Sequence, residues 1–145
     1  MLRNIPDCIS PELLKVLHEM GHGDCLVLGD ANFPATALAK EGKGINIRCD
    51  GQNLLELMEA ILSLMPLDSF VENPVKIMDK GTKSQNLQIP IHGKIIDLVE
   101  KYHKKEAVSM VERFDFYEES KKAYATVSTT EKAPYACVIL QKGCL

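Results

Sequence analysis

The tripeptide Gly21-His22-Gly23 sets an imidazole on glycine-flanked backbone. With an unperturbed pKa of about 6.5, such a group gives and takes protons near neutrality. The apolar run Cys25-Leu26-Val27-Leu28 follows it and Asp30 stands just beyond, so a titratable pair brackets one predicted strand. Further along, Arg113 lies between Glu112 and Asp115, with Tyr117 four residues on and Tyr135 near the end of the chain. A carboxylate, a guanidinium and phenols around a proton-transferring histidine suit acid/base work on a small polar molecule. Each has a structural alternative: His22 as a cation on a helix C-terminus, Asp30 as a cap for the segment beginning Ala31-Asn32-Phe33-Pro34, Arg113 in an ion pair with its acidic neighbours, and the aromatics as core.

The elements that must carry these groups are legible from caps and periodicity. Ser10 caps a helix with Pro11 at its first position, and Leu13, Leu14 and Leu17 form its apolar stripe. Gly21 is the predicted left-handed terminator, which takes His22 off the helix. Ile45 to Cys49 alternates like a strand, Asp50-Gly51 turns, and Leu54 to Met65 carries a wide apolar face up to Pro66. Val75 to Met78 is a short strand, and Lys80 to Gln88 a polar loop. A helix is predicted from Ile91 to Lys104, a strand from Ala107 to Phe114, and a helix from Asp115 to Tyr124. Ala125 to Ser128 and Ala136 to Gln141 follow as strands. This alternation, without repeat or linker, predicts a single α/β domain over residues 1–145, a layered sheet with helices on both faces.

Composition excludes several classes of function. A chain of 145 residues, 46% hydrophobic, buries roughly 70% of its unfolded surface, enough for one core without metal or disulfide. Net charge of −3, with scattered lysines, leaves no footprint for nucleic acid or an acidic membrane. Five cysteines without a C-x-x-C pair argue against a disulfide framework and for reduced thiols in a cytoplasm. No apolar run approaches the ~18 residues of a membrane span, and no leader is predicted at the N-terminus. His18-Glu19-Met20-Gly21-His22 matches the zincin pattern, but both imidazoles must share one helical face and Gly21 ends the helix between them. Neither metal nor cofactor is expected. Gly21-x-Gly23 follows a helix instead of a strand, with Leu26 where a dinucleotide site needs its third glycine.

Five strings, in order and spacing, point further. Met20-Gly21-His22-Gly23-Asp24, Asp30-Ala31-Asn32-Phe33-Pro34-Ala35, Ile47-Arg48-Cys49-Asp50-Gly51, Glu112-Arg113-Phe114-Asp115-Phe116-Tyr117-Glu118 and Ile139-Leu140-Gln141-Lys142-Gly143 closely resemble the fucose mutarotase branch of the fucose mutarotase and ribose pyranase family. The resemblance covers nearly the whole chain. It implies that family's layered fold and an isomerase, active without a cofactor, that interconverts the α and β anomers of L-fucose. It implies that His22 is the proton donor and that Asp30, Arg113 and the string Tyr135-Ala136-Cys137 contact the sugar. It also implies a ring-shaped homo-oligomer, a decamer, with sites near subunit contacts.

Two features bear on that implied site. The family's string ends in asparagine where this chain has Cys137, whose thiol is a weak donor and acceptor, so either one sugar contact is weakened or the main chain of residues 135–137 makes it. Tyr117 or Tyr135 is placed to relay the second proton. Ring opening needs a proton delivered to the ring oxygen while one leaves the anomeric hydroxyl, and acid and base suffice for both. The runner-up from another class is a non-catalytic sugar-binding or regulatory subunit, in which His22 is only a hydrogen-bond donor.

Overall fold

The computed structural model describes residues 2–145. Five helices and six strands follow one another as α1 (Pro11–Glu19), β1 (Cys25–Gly29), α2 (Ala35–Glu41), β2 (Asn46–Cys49), α3 (Leu54–Leu62), β3 (Val75–Met78), α4 (Pro90–Tyr102), β4 (Val108–Val111), α5 (Arg113–Lys122), β5 (Ala125–Thr129) and β6 (Val138–Gln141). The strands form one sheet in the order β2-β5-β1-β6-β3-β4. β2, β5 and β1 run parallel, as do β3 and β4, while β6 runs antiparallel to both β1 and β3 and joins the two halves.

Alternation along the strands divides the core into two layers. Leu26, Leu28, Val127, Ala136, Val138 and Leu140 pack with Leu13, Leu57, Met58, Ile61 and Ile95 of α1, α3 and α4. Val27, Cys137 and Ile139 turn to the other face, against Phe116 and Ala123 at α5. The mixed α/β sheet with helices on both faces agrees with the sequence expectation.

Three local expectations are corrected. Ala35–Glu41 is a helix that the pattern did not reveal; its N-cap position is Pro34, which offers no side-chain cap. α5 begins at Arg113, inside the predicted strand 107–114, because the Glu112 carboxylate accepts from the Phe114 and Asp115 amides and starts the helix there. At α1, Ser10 accepts from the Leu13 amide as expected, but Gly21 is not the left-handed residue. The helix ends at Glu19 with Met20 extended, and the positive φ of 84° falls on Gly23. Lys142 Nζ donates to the carbonyls of Leu17 and Met20, satisfying acceptors that the helix end leaves open.

Candidate active site

His22 lies in the turn between α1 and β1. The Gly23 amide donates to the Lys142 carbonyl and the Lys142 amide to the Asp24 carbonyl, so the turn is tied to the end of β6. The imidazole meets a residue that the sequence did not single out: His22 Nε2 is 3.0 Å from Asp68 Oδ2. Asp68 is buried, yet all its bonds are made, since it also accepts from Gln141 Nε2 at 3.0 Å and from the Phe70 amide at 2.9 Å. The Phe70 amide above all, helped by His22 and Gln141, holds the Asp68 carboxyl below its ordinary value against the opposing pull of burial. A carboxylate only accepts, so Nε2 carries the proton and Nδ1 is the nitrogen left for other partners. The His22 side chain is 48% exposed, and Phe70 covers one side with ring centroids 5.6 Å apart. Gly143 is required here: a Cβ on it would lie 2.5 Å from the Leu67 carbonyl oxygen and 2.7 Å from the Asp68 Cα.

The other predicted site residues gather elsewhere. Asp30, Arg113, Tyr117, Tyr135 and Cys137 line one cavity of about 230 Å³, with Phe33 and Met78 among its apolar walls. Asp30 is buried at the end of β1, and its Oδ1 accepts from the Asn32 amide at 2.9 Å, which caps the segment beginning at Ala31; the helix that follows begins only at Ala35. Arg113 makes no ion pair among the described residues. Its Nε donates to the Tyr117 hydroxyl at 3.1 Å, and its guanidinium lies 5.3 Å from the Phe114 ring centre and 5.5 Å from that of Tyr117. The hydrogen bond to the Tyr117 hydroxyl, the largest cause, raises the guanidinium above its ordinary value. Its remaining N–H donors form the fork that suits paired oxygens.

Tyr135 has a φ of 58°, left-handed and uncommon for a residue with a Cβ. Its hydroxyl is 3.0 Å from Ser84 Oγ, and its carbonyl accepts from His92 Nε2 at 2.9 Å. The Cys137 carbonyl accepts from the Met78 amide at 3.0 Å. The carbonyls of Tyr135 and Cys137 thus each have one partner inside the protein and keep a second lone pair. Ala136 faces the core with no exposure and does not line the cavity, because alternation turns it to the opposite side from Cys137. Burial, and then the Asp30 carboxylate beside it, push the Cys137 thiol well above its ordinary value and keep it protonated.

One chain does not bring His22 to this cavity. The two groups bracket β1, as the sequence indicated, and a five-residue strand at about 3.3 Å per residue separates its ends by about 16 Å. Among the described residues, no group of three His, Cys, Asp or Glu side chains is arranged to hold a metal ion, and no helix is long and apolar enough to cross a membrane. Asp68, Gln141 and His92 were missed by sequence reasoning; the contacts of His22 with Asp68 and of His92 with Tyr135 span 46 and 43 residues, beyond any local motif.

A mixed α/β sheet whose strand ends hold a small cavity of carboxylate, guanidinium, phenol and aromatic wall defines a protein built for a small polar ligand. The chain belongs to the RbsD / FucU transport protein family, whose model matches residues 3–145. It is 45% identical to the fucose mutarotase of Mus musculus over 99% of this chain and 95% of that one. It is 43% identical to the L-fucose mutarotase of Glaesserella parasuis serovar 5 (strain SH0165), over 99% and 95% of the two chains. The fucose mutarotase of Streptococcus pneumoniae, solved in complex with L-fucose, superposes with a TM-score of 0.92 at 45% identity and 99% coverage of both chains. Likeness to Bacillus subtilis RbsD complexed with D-ribose, at a TM-score of 0.75 and 21% identity over 100% and 99% of the chains, shows the common fold.

Proposed function

We propose that this chain is an isomerase that interconverts the α and β anomers of L-fucose by general acid/base catalysis. The observation that carries the reading is the cavity over Asp30, Arg113 and Tyr135, in a chain 45% identical across 99% of its length to a fucose mutarotase solved with L-fucose. Asp30 accepts hydroxyl protons, the Arg113 fork takes a pair of oxygens, and Tyr135 offers its phenol. His22 delivers a proton to the ring oxygen while the anomeric hydroxyl loses one, opening the ring to the aldehyde. Rotation about the bond to the carbonyl carbon and reclosure on the other face reverse both transfers, with no net gain or loss of protons. Asp68 holds the His22 ring so that Nδ1 exchanges the proton. Tyr117, whose hydroxyl oxygen already accepts from Arg113, retains its own O–H as a relay for the second transfer.

Reacting atoms must come within about 3–3.5 Å, which the span of β1 denies to His22 and Asp30 of one chain. A neighbouring copy therefore supplies His22, and the site lies between two chains. Exposed Phe70 beside His22 and exposed Phe114 beside Arg113 support this, since these are apolar surfaces that such a contact would cover. Unlike surfaces meeting head to tail close into a ring, here a decamer, and the five free thiols suit a cytoplasmic location.

Saturation-difference proton NMR of L-fucose, with and without protein, tests the activity. Anomer exchange should rise above buffer, and His22→Gln should lower it by about 10²–10⁴-fold with the fold intact. A His22→Gln variant that exchanges anomers as fast as the parent would show that His22 is not the acid, and a parent that binds L-fucose without raising exchange above buffer would support the binding-subunit reading.

A further inference from the structure

We propose that His92 is a positioning residue that fixes Tyr135 for sugar binding; the sugar part of this claim rests on the mutarotase reading. Tyr135 and Asn4 are the two residues other than glycine with positive φ among the described residues, and Tyr135 alone of the two lines the cavity. Left-handed backbone at a bulky residue persists only where the surroundings hold it. The direction of a residue's carbonyl reports its ψ, so a hydrogen bond to that carbonyl restrains the backbone on which the side chain is mounted.

His92 supplies that bond from the first turn of α4, an element that contributes no residue to the cavity lining. A carbonyl oxygen only accepts, so Nε2 must carry a proton, which both the neutral Nε2–H tautomer and the cation provide. The phenol is held at its other end by Ser84, in the loop between β3 and α4. Tyr135 is thereby clamped at both ends, its carbonyl by His92 and its hydroxyl by Ser84, while its ring forms part of the cavity wall. Without His92 the backbone is free to relax toward the commoner extended region, which swings the ring away from Arg113 and Asp30. His92 touches neither sugar nor proton in this account; it acts through Tyr135.

The test uses the full-length protein with His92→Leu, His92→Gln, Tyr135→Phe and the His92→Leu/Tyr135→Phe double variant. Losing one hydrogen bond of this kind should raise KM for L-fucose by about five- to thirty-fold with kcat little changed. Glutamine, which can donate from a similar distance, should restore most of the loss. In the Tyr135→Phe background the His92→Leu change should cost less than it does alone, because the phenol it positions is already gone. In 3-fluorotyrosine-labelled protein the Tyr135 fluorine resonance, assigned by its loss in Tyr135→Phe, should shift in His92→Leu and return in His92→Gln. An unmoved Tyr135 resonance, or fully additive KM effects, would overturn the proposal. A parent protein that fails to accelerate L-fucose exchange would overturn the mutarotase reading alone, and the fluorine result would still decide whether His92 sets the conformation of Tyr135.

Discussion

Replacing Asp68 by asparagine keeps the shape of the buried side chain and removes its charge. The amide oxygen introduced by Asp68→Asn can still accept from the Phe70 amide, a bond of 2.9 Å in the parent, but the new NH₂ faces two donors, His22 Nε2 and Gln141 Nε2, each at 3.0 Å from the parent carboxylate. Gln141 can turn its amide to present oxygen. His22 can only answer by accepting at Nε2, which moves the neutral ring's proton to Nδ1, the position that must be free to take one. A hydrogen bond to a charged partner is worth about 1.5–3 kcal/mol, which at 1.36 kcal/mol per decade predicts a fall in kcat of about 10- to 150-fold. KM should stay within about twofold of the parent, because Asp68 acts through His22 and is not among the groups proposed to bind the sugar. Anomer exchange by saturation-difference NMR gives both constants, and ¹⁵N NMR of labelled histidine reads the tautomer directly. A variant with parental kcat and an unshifted His22 tautomer would refute the orienting role of Asp68.

Four further outcomes follow. Arg113→Ala should raise KM for L-fucose by about 10- to 150-fold, the value of a charge-assisted contact, and more than it lowers kcat in steady-state exchange. Cys137→Asn should tighten sugar binding about fivefold, because an amide can donate to Asp30 and still offer its oxygen; titration calorimetry showing unchanged affinity would assign the contact to the main chain of residues 135–137 instead. Asp68 has a depressed carboxyl value in the folded chain, so its contribution to stability is present above the ordinary carboxylate pKa of about 3.9 and is lost as pH falls through the lower folded value; the gap in melting temperature between parent and Asp68→Asn should close on acidification below about pH 4. Co-refolding equal amounts of His22→Gln and Asp30→Ala chains should restore about one quarter of the sites in a randomly mixed ring, whereas sites complete within one chain would show no recovery beyond the separate variants.

What the sequence disclosed depended on how local each signal was. Ser10 with Pro11 marked the start of α1, and the apolar face beginning at Leu54 marked α3, because caps and helical periodicity are written within a turn or two of chain. α2 escaped because it has seven residues and no capping side chain. Phe114 was assigned to a strand on hydrophobicity, although it is 65% exposed and helical; Glu112, read as a charge at the strand's end, was the cap. Asp30, Arg113, Tyr117, Tyr135 and Cys137 do line one cavity, and it was the family resemblance, more than the residue types, that grouped Asp30, Arg113, Tyr135 and Cys137 as sugar contacts. Asp68 carried no comparable signal. It follows Pro66 outside the named helices and strands, and long-range contacts with Gln141 and Gly143, the latter's close approach permitted by the missing Cβ, bring it to the end of β6 beside His22.

The division of the proposed machinery between the two ends of β1 has a consequence for how the chain works. Extended backbone is the stiffest spacer available within a sheet, and β1 is the strand flanked by β5 and β6 near the middle of this one, so His22 cannot be folded back onto Asp30 without dismantling the core. The same rigidity makes the strand a ruler: every copy presents its acid at one end and its sugar contacts at the other, at a fixed separation. Head-to-tail association of such units, on the proposed reading, completes a site at each junction and leaves none in an isolated chain. Activity should then depend on assembly as well as on residues, with specific activity falling on dilution once copies dissociate. Acid and binding groups that meet only across a contact also place the proton-transferring nitrogen of His22 where association removes it from water, the setting in which a positioned proton transfer gains most.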